Sequence, residues 1–215
     1  MSATFRFRVN AISLQVIVTI QTSRLVLRPI VERDWSFLFE LSNLPGVKNY
    51  LLPDHNTEAH AKRMALASAS HAHLHSGLFF TFIIVHRETG EQIGACSLGV
   101  INARRRIAAI GFDVQPDHAG NGYATEAAEV LVGLGFGPCR SRRLRSECYS
   151  DNAASRRVME KVGLVVKTMP WTRLGLWWSY ADPRTKVRYE IGKRAWLKWK
   201  WAQGESVEAG PDTSN

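Results

Sequence analysis

The sequence predicts one mixed α/β domain built on a mostly antiparallel sheet. Residues 79–85, 92–101 and 107–114 are rich in β-branched and aromatic residues, and short turns join them, which is typical of an antiparallel meander. A glycine-rich loop then opens directly into a helix with an apolar face. Further strand-like segments, such as 144–149 and 186–191, follow, and the segments do not alternate as βαβ units.

The residues before the meander predict a strand and two helices. Residues 23–29 alternate apolar and polar side chains and end at Pro29, which cannot donate to a β ladder. Asp34 is placed to cap a helix over 35–44, whose apolar residues recur at near-helical spacing. An alanine-rich stretch, 57–75, predicts the second helix.

The C-terminal part predicts a helix over 151–162 that ends at Gly163, a strand over 164–169, and a last helix that carries Trp196. The ends of the chain have a different composition from the middle, and the last residues are polar and rich in Pro, Ser and Gly. We therefore expect three parts: an N-terminal extension over 1–19, one domain over 20–203 and a disordered tail over 204–215.

Composition indicates a cytoplasmic protein that folds without disulfides or a structural zinc site. With 215 residues and 45% hydrophobic content, the chain can fill a sizeable core. Its three cysteines are an odd number without CxxC or CxxH spacing, which suits a reducing compartment. The N-terminal apolar run, 11–20, is too short to span a membrane and lacks an obvious cleavage site.

The net charge of +9 indicates an affinity for anions, which fits a polyphosphate cofactor or a nucleic acid. Much of the excess lies in residues 104–106 and 140–145. No basic helix with base-reading residues and no RNA-stacking signature accompanies them, so we interpret them as a solvated charged face and do not predict a nucleic-acid partner. The sequence leaves open whether the protein is a monomer or a homodimer.

The strongest chemical signal is the turn over 117–124, which follows a strand and precedes a helix. Gly120 and Gly122 let the backbone curl so that several N–H groups converge, and the helix adds partial positive charge. Such a turn can cradle a pyrophosphate. The dinucleotide pattern GxGxxG fails because position 125 is Thr125, and the Gly-Lys-Ser/Thr of a P-loop is absent from the sequence.

Two longer motifs carry a family resemblance. The sequence contains GFDVQPDHAGNGYATEAAEVLVGLGF and then DNAASRRVMEKVGL, with TSRLVLRPI before them and RYEIGKRAW after them. In this order they resemble the GNAT acetyltransferase superfamily over roughly residues 20–200, and within it the ribosomal-protein N-terminal acetyltransferases of the RimJ/RimL type. Residues 171–185 follow the family poorly.

The resemblance implies a fold and a cofactor site. The fold is a mostly antiparallel sheet of six to seven strands, with helices on both faces and a splay between the fourth and fifth strands, which receives the pantetheine arm of acetyl-CoA. Val114 would pair with that arm and polarise the thioester carbonyl. The site residues that the resemblance implies for the cofactor are Val114, Ala119, Gly120, Asn121, Gly122, Tyr123, Ala124, Asn152 and Ser155.

The chain departs from the family at three positions. Asp117 and Ala119 stand where relatives often carry a cation or another larger side chain near the phosphates. Met159 stands where many relatives have the tyrosine that protonates the leaving thiolate. Ser155 is then the candidate acid, as in Rim-type enzymes.

The pKa of the acceptor amine determines how much a general base must contribute. A protein N-terminal amine with a pKa of ~7.7–8.0 is already ~10–20% neutral at pH 7. Deprotonation of a lysine-like amine with a pKa of ~10.4 costs ~4–5 kcal/mol at that pH. Asp113 and Glu147 lie on the two strands that would flank the acetyl group, and each could equally point into solvent. Tyr149 would line the acceptor slot or pack in the core.

Other aromatic and histidine residues give weaker signals. His71 and His75 have the i, i+4 spacing of a metal pair, but nothing nearby completes a ligand set, so we predict no metal. His118 lies in the turn and could touch a phosphate. Trp177 and Trp178 belong to a Trp-rich segment that would border the acceptor pocket or pack at a core or dimer surface.

Three hypotheses for function follow. The leading one is an acetyl-CoA-dependent N-acetyltransferase that acts on a protein N-terminus. The second is acetylation of a small polyamine or aminoglycoside-like amine, which an acidic acceptor pocket would favour. The third is a non-catalytic module that senses acetyl-CoA or binds RNA.

Overall fold

The structure is a computed structural model that describes residues 19–51, 54–70, 79–167 and 185–204. The predicted extension and tail lie outside these residues except for Thr19 and Gly204, and so do the Trp-rich segment and His71, His73 and His75. The elements in chain order are β1 (Ile20–Gln21), β2 (Leu25–Pro29), α1 (Trp35–Asn43), α2 (Pro45–Lys48), α3 (Glu58–Ser70), β3 (Phe79–His86), β4 (Gln92–Asn102), β5 (Ile107–Val114), α4 (Tyr123–Phe136), β6 (Arg143–Tyr149), α5 (Ala153–Lys161), β7 (Val165–Lys167), β8 (Lys186–Gly192) and α6 (Lys193–Ala202).

The strands form one sheet in the order β1-β2-β3-β4-β5-β6-β8-β7. Every neighbouring pair is antiparallel except β5 with β6, which confirms the predicted mixed fold with a mostly antiparallel sheet. The sheet has one strand more than predicted because Ile20 and Gln21 pair with Leu27 and Val26.

Helices cover both faces of the sheet, as predicted. On one face α1 and α3 pack over Ile83 and Ala95, together with Phe37 and Leu41. On the other face α4 lies across the sheet and forms the larger core with residues of α5, α6 and the strands. The core side of α4 is almost fully buried, and Leu131 is 0% exposed.

The structure corrects one local prediction, the capping role of Asp34. The carboxylate of Asp34 makes no cap bond to α1. It accepts instead from the Val31 N–H at 2.8 Å and from both terminal nitrogens of Arg28 at 2.7 and 2.8 Å. Burial acts to raise the pKa of Asp34, but these hydrogen bonds and the Arg28 charge outweigh it and lower the pKa.

The strands β5 and β6 separate after a short paired stretch. Their register comprises only Ile107 with Arg143, Ala108 with Leu144 and Ala109 with Arg145. Beyond it, the Ser146 hydroxyl bridges to the Ile110 carbonyl oxygen at 3.0 Å. The predicted splay is therefore present, and it falls between the fifth and sixth strands because β1 adds one to the count.

Candidate active site

The turn before α4 has the backbone conformation that the two glycines predict. Gly120 and Gly122 have φ angles of +81° and +82°, in the left-handed region that favours glycine. A Cβ at Gly120 would meet no atom within 4 Å, and one at Gly122 would lie 3.4 Å from an Arg24 nitrogen. The space above the turn is therefore open, and the glycines are required by conformation rather than by crowding.

The amides of this turn are available to an anion. Within the described part of the chain, no N–H from Gly120 to Thr125 donates to a protein acceptor, and the first bond of the helix is made by Glu126 to the Gly122 carbonyl at 3.0 Å. The Ala119 N–H differs, since it donates to the Pro116 carbonyl at 2.9 Å. Free amides at the start of a 14-residue helix, together with the helix dipole, form an anion-binding cradle.

Arg24 holds the turn from the start of β2, a role that the sequence did not indicate. Its Nη1 donates to the Asn121 carbonyl at 2.8 Å, and its Nε and Nη2 bind the Glu126 carboxylate at 2.8 and 2.7 Å. The guanidinium also lies 4.8 Å from the centroid of the Tyr123 ring. The Arg24 side chain is 46% exposed. It therefore places a cation beside the turn, although this chain lacks the cations that relatives often carry at positions 117 and 119.

Glu126 anchors the other side of this arrangement. Burial acts to raise its pKa, but hydrogen bonds from Thr22 and Arg24 and the Arg24 charge outweigh it, so the pKa of Glu126 is lowered. A carboxylate that stays ionised keeps Arg24 in place.

Two further side chains brace the turn. The Nδ2 of Asn121 donates to the carbonyls of His118 and Ala119 at 3.2 and 3.3 Å. The Nε2 of His118 lies 3.2 Å from a carboxylate oxygen of Glu91, in the β3–β4 hairpin. His118 is thus tied to a neighbouring carboxylate, whereas the sequence suggested a phosphate contact.

The C-terminal half of β5 exposes backbone to the gap. The N–H of Gln115 donates to Ile93 of β4 at 2.8 Å, so the backbone of Gln115 points toward β4. Because backbone direction alternates along a strand, the polar groups of Phe112 and Val114 point away from β4 and into the splay. This is the orientation that the Val114 prediction requires, and Phe112 is a further residue that the sequence did not single out.

Asn152 and Ser155 stand on the β6 side of the gap. The Oδ1 of Asn152 accepts the Ser155 backbone N–H at 2.9 Å and caps α5, which leaves its Nδ2 as a donor. The Ser155 hydroxyl lies beside the Cys148 thiol. Burial raises the pKa of Cys148, and the hydrogen bond from Ser155 partly opposes this rise. Cys148 is a neighbour of the proposed acid that only the fold brings into place.

Asp113 and Glu147, the two candidate bases, have different surroundings. The side chain of Asp113 is exposed to water at the surface, and desolvation of its carboxyl by nearby protein atoms raises the pKa of Asp113 to about 6. Glu147 instead accepts from the Arg188 Nε at 2.6 Å. A carboxylate with a pKa near 6 can accept a proton at neutral pH, and the Asp113 carboxylate makes no ion pair among the described residues.

Cations lie near Tyr149, the last residue of β6, which pairs with Lys186 of β8. Tyr149 is 2% exposed and packs in the core, and Lys186 lies 5.0 Å from its ring centroid. Burial, followed by the charges of Lys186 and Arg63, lowers the pKa of His55 nearby. The Asp54 carboxylate acts in the opposite direction on His55, so both cations and a carboxylate lie near this histidine.

Met159, which stands at the position of the family's acidic tyrosine, has a packing role. Met159 is 0% exposed and belongs to the core beneath α5, so it cannot reach the gap. Over the described ranges, no group of three or more His, Cys, Asp or Glu side chains is arranged to hold a metal ion. Likewise, none of the described helices is long and apolar enough to cross a bilayer.

A splayed parallel strand pair, with free amides at the end of one strand, has the geometry to receive an extended phosphorylated ligand. A family model described as "Acetyltransferase (GNAT) domain" matches residues 24–165 of the chain. The chain therefore belongs to the GNAT acetyltransferase family and is an N-acetyltransferase. Enzymes of this family use acetyl-CoA as the acetyl donor.

Individual relatives agree with this assignment. Uncharacterized N-acetyltransferase YoaA of Bacillus subtilis (strain 168) is 28% identical over 144 residues, which cover 67% of this chain and 81% of that protein. Spermidine N(1)-acetyltransferase of Escherichia coli (strain K12) is 25% identical over 141 residues, which cover 66% and 73%. The names of these relatives do not confirm the RimJ/RimL resemblance.

Solved structures agree on the fold. An acetyltransferase of the GNAT family from Bacillus anthracis aligns with a TM-score of 0.66 at 22% identity, covering 82% of this chain and 99% of that chain. The spermidine N-acetyltransferase from Vibrio cholerae in complex with CoA and spermine aligns with a TM-score of 0.65 at 20% identity and the same coverage.

Proposed function

We propose that this N-acetyltransferase acts on a singly charged primary amine, foremost a protein N-terminal amine as in the RimJ/RimL type. We also propose that it holds acetyl-CoA between the turn at 119–124 and the open edge of β5. The observation that carries the cofactor site is that free backbone groups lie at both ends of one segment, residues 112–125. The backbone N–H and C=O groups of Phe112 and Val114 face the gap, and the free amides begin at Gly120, six residues further along the chain.

Different residues would bind different parts of the cofactor. The amides of Gly120–Thr125 suit the diphosphate, and Arg24 adds a cation beside it. The backbone of Phe112 and Val114 suits the amide groups of the pantetheine arm, with the Nδ2 of Asn152 opposite. When bound, acetyl-CoA would supply the acetyl group as a thioester, and coenzyme A would be the leaving thiolate.

Three groups of the chain would then handle charge and protons. The Val114 N–H is aimed into the gap, where it can stabilise negative charge on the carbonyl oxygen. The Asp113 carboxylate stands on the open face, where it can accept a proton from the incoming amine. The Ser155 hydroxyl can donate a proton on the opposite side, and a thiol pKa of ~8.5 makes that demand small.

The charge of the cleft mouth favours a singly charged acceptor. Burial and then the charges of Lys186 and Arg63 lower the pKa of His55 against the opposing charge of Asp54, and Glu147 is already paired with Arg188. Because like charges repel, Lys186 and Arg63 act against a polyamine, which carries several cationic groups at neutral pH. A protein N-terminus brings one charge and is partly neutral already.

The test measures free thiol released from acetyl-CoA by the purified full chain with two kinds of acceptor. We expect peptides with a free N-terminal amine to give a higher kcat/KM than spermidine, and N-terminally blocked peptides without lysine to give none. A higher kcat/KM for spermidine would replace the acceptor proposal with the polyamine alternative. Tight CoA binding without thiol release from either acceptor would favour the non-catalytic sensor.

A further inference from the structure

A second cationic feature lies at the opposite end of β5 and β6 from the turn. A concavity of about 520 Å³ opens there, where Ile107 begins β5 and Gly192 ends β8. At about 3.3 Å per residue, the eight residues of β5 put it roughly 25 Å from the phosphate-binding turn. Its charged lining consists of five arginines, Arg104, Arg105, Arg142, Arg143 and Arg145. We call it the arginine pocket.

The charge of the arginine pocket is poorly compensated. Glu190 binds the Arg143 Nη1 at 3.0 Å and the Arg145 Nε at 2.6 Å. Glu190 is only 10% exposed, so its charge is committed to that pair of arginines. Within the described ranges, the guanidinium groups of Arg104, Arg105 and Arg142 make no ion pair or hydrogen bond. Several cations thus share a concave site without matching carboxylates, which costs free energy through repulsion.

The start of α6 adds to this imbalance. Gly192 lines the pocket and is the N-cap of the ten-residue helix, without a side-chain cap bond. The first residues of α6 are Lys193 and Arg194, and its first turn contains no acidic residue. Cations are disfavoured at a helix N-terminus, where the dipole is positive. An anion in the pocket would offset both the dipole and the neighbouring arginines.

Backbone bonds hold the pocket walls together. The Arg106 carbonyl accepts from Arg142 N–H at 2.7 Å, and the Arg142 carbonyl accepts from Lys193 N–H at 3.0 Å. Arg106 and Arg140, which flank the pocket in sequence, have φ angles of +54° and +48°. Glycine adopts this conformation without the steric penalty of a Cβ, so arginine at both positions keeps positive charge at a conformational cost.

We propose that the arginine pocket binds two or more consecutive phosphate groups, at a site separate from that of acetyl-CoA. The planar guanidinium presents paired donors that match phosphate oxygens, and the concave shape allows several arginines to reach one compact polyanion. Free polyphosphates, nucleotides and the RNA backbone share this chemistry. The site goes beyond the proposed acetyl transfer because it shares no residue with the cofactor cradle.

The experiment titrates the full chain with inorganic tripolyphosphate by calorimetry, and with a labelled ten-nucleotide single-stranded RNA by fluorescence anisotropy, at 50 mM salt. Saturating CoA blocks the proposed cradle, and a parallel series omits CoA. The test variant is Arg105→Ser/Arg142→Ser, and Lys48→Ser/Lys198→Ser removes the same charge from exposed positions elsewhere. Thermal melting checks that both fold, and Arg104→Glu provides a second, single-site test.

We expect at least one ligand to bind with saturating CoA, and to bind the test variant about tenfold or more weakly while the control changes by less than about threefold. If the test variant binds tripolyphosphate more weakly, the ligand is a free polyphosphate. If only its affinity for RNA falls, the ligand is the RNA backbone. Binding of neither ligand, or equal losses in test variant and control, would overturn the proposal. If CoA itself failed to bind, the series without CoA would still decide the question.

Discussion

Replacing Gly120 with alanine tests the phosphate-binding turn with little disturbance elsewhere. A Cβ at Gly120 meets nothing within 4 Å, so the change causes no clash with the protein, and its cost comes from the φ of +81°. An alanine in the left-handed region costs roughly 1–2 kcal/mol. If the turn relaxes to avoid this cost, its amides no longer converge. The loss of one charge-assisted interaction, about 1.5–3 kcal/mol, would weaken CoA binding roughly 10- to 100-fold.

Gly90 provides a matched control for that variant. It lies in the β3–β4 hairpin with a φ of +72°, and a Cβ there also meets nothing within 4 Å. For a chain of this size, both alanine variants should lower the melting temperature by roughly 2–8 °C. Only Gly120→Ala should raise the Kd for CoA measured by calorimetry. Equal CoA affinity in the two variants would show that the turn does not hold the diphosphate.

Two further predictions concern proton transfer. Ser155→Ala should lower kcat by roughly 100-fold or more with unchanged CoA affinity, because Asn152 still caps the helix through the Ser155 backbone N–H. An unchanged kcat in the thiol-release assay would remove Ser155 from the acid role. The wild-type kcat/KM should fall as the pH drops below about 6, because Asp113 becomes protonated there and loses its capacity as a base. Asp113→Asn should be slow and lack that dependence, whereas Glu147→Gln should keep it, and the opposite pattern would assign the base to Glu147.

Local patterns were sufficient for most of the fold. The bounds of β5 agree with the prediction of residues 107–114 because the strand lies between a polar hairpin and Pro116, which both end a β segment. The Gly120 and Gly122 conformations were predictable for a similar reason, since a strand-to-helix turn this tight requires a positive φ. By contrast, β1 is two residues long, too short for any periodic pattern.

Long-range contacts were beyond the reach of the sequence. Arg24 is 97 residues from Asn121, and nothing near Arg24 in the chain indicates that its guanidinium supports the turn. The pKa of Asp113 depends on the protein packed around it, which a strand pattern does not reveal. Asp34 is a different case, because its partner Arg28 lies only six residues earlier, on β2. The local features of a cap were present, but the two charge-assisted bonds from Arg28 are stronger than one cap bond.

The short pairing of β5 with β6 connects the two proposed sites. Parallel strands that stay paired would use the backbone of Phe112 and Val114 within the sheet and leave none for a cofactor. Here the pair is closed at one end, where Arg106 accepts from the amide of Arg142, and it opens after Ala109. The opening strand can therefore present its backbone to a ligand at one end, while the rigid closed end can hold arginines together against their mutual repulsion.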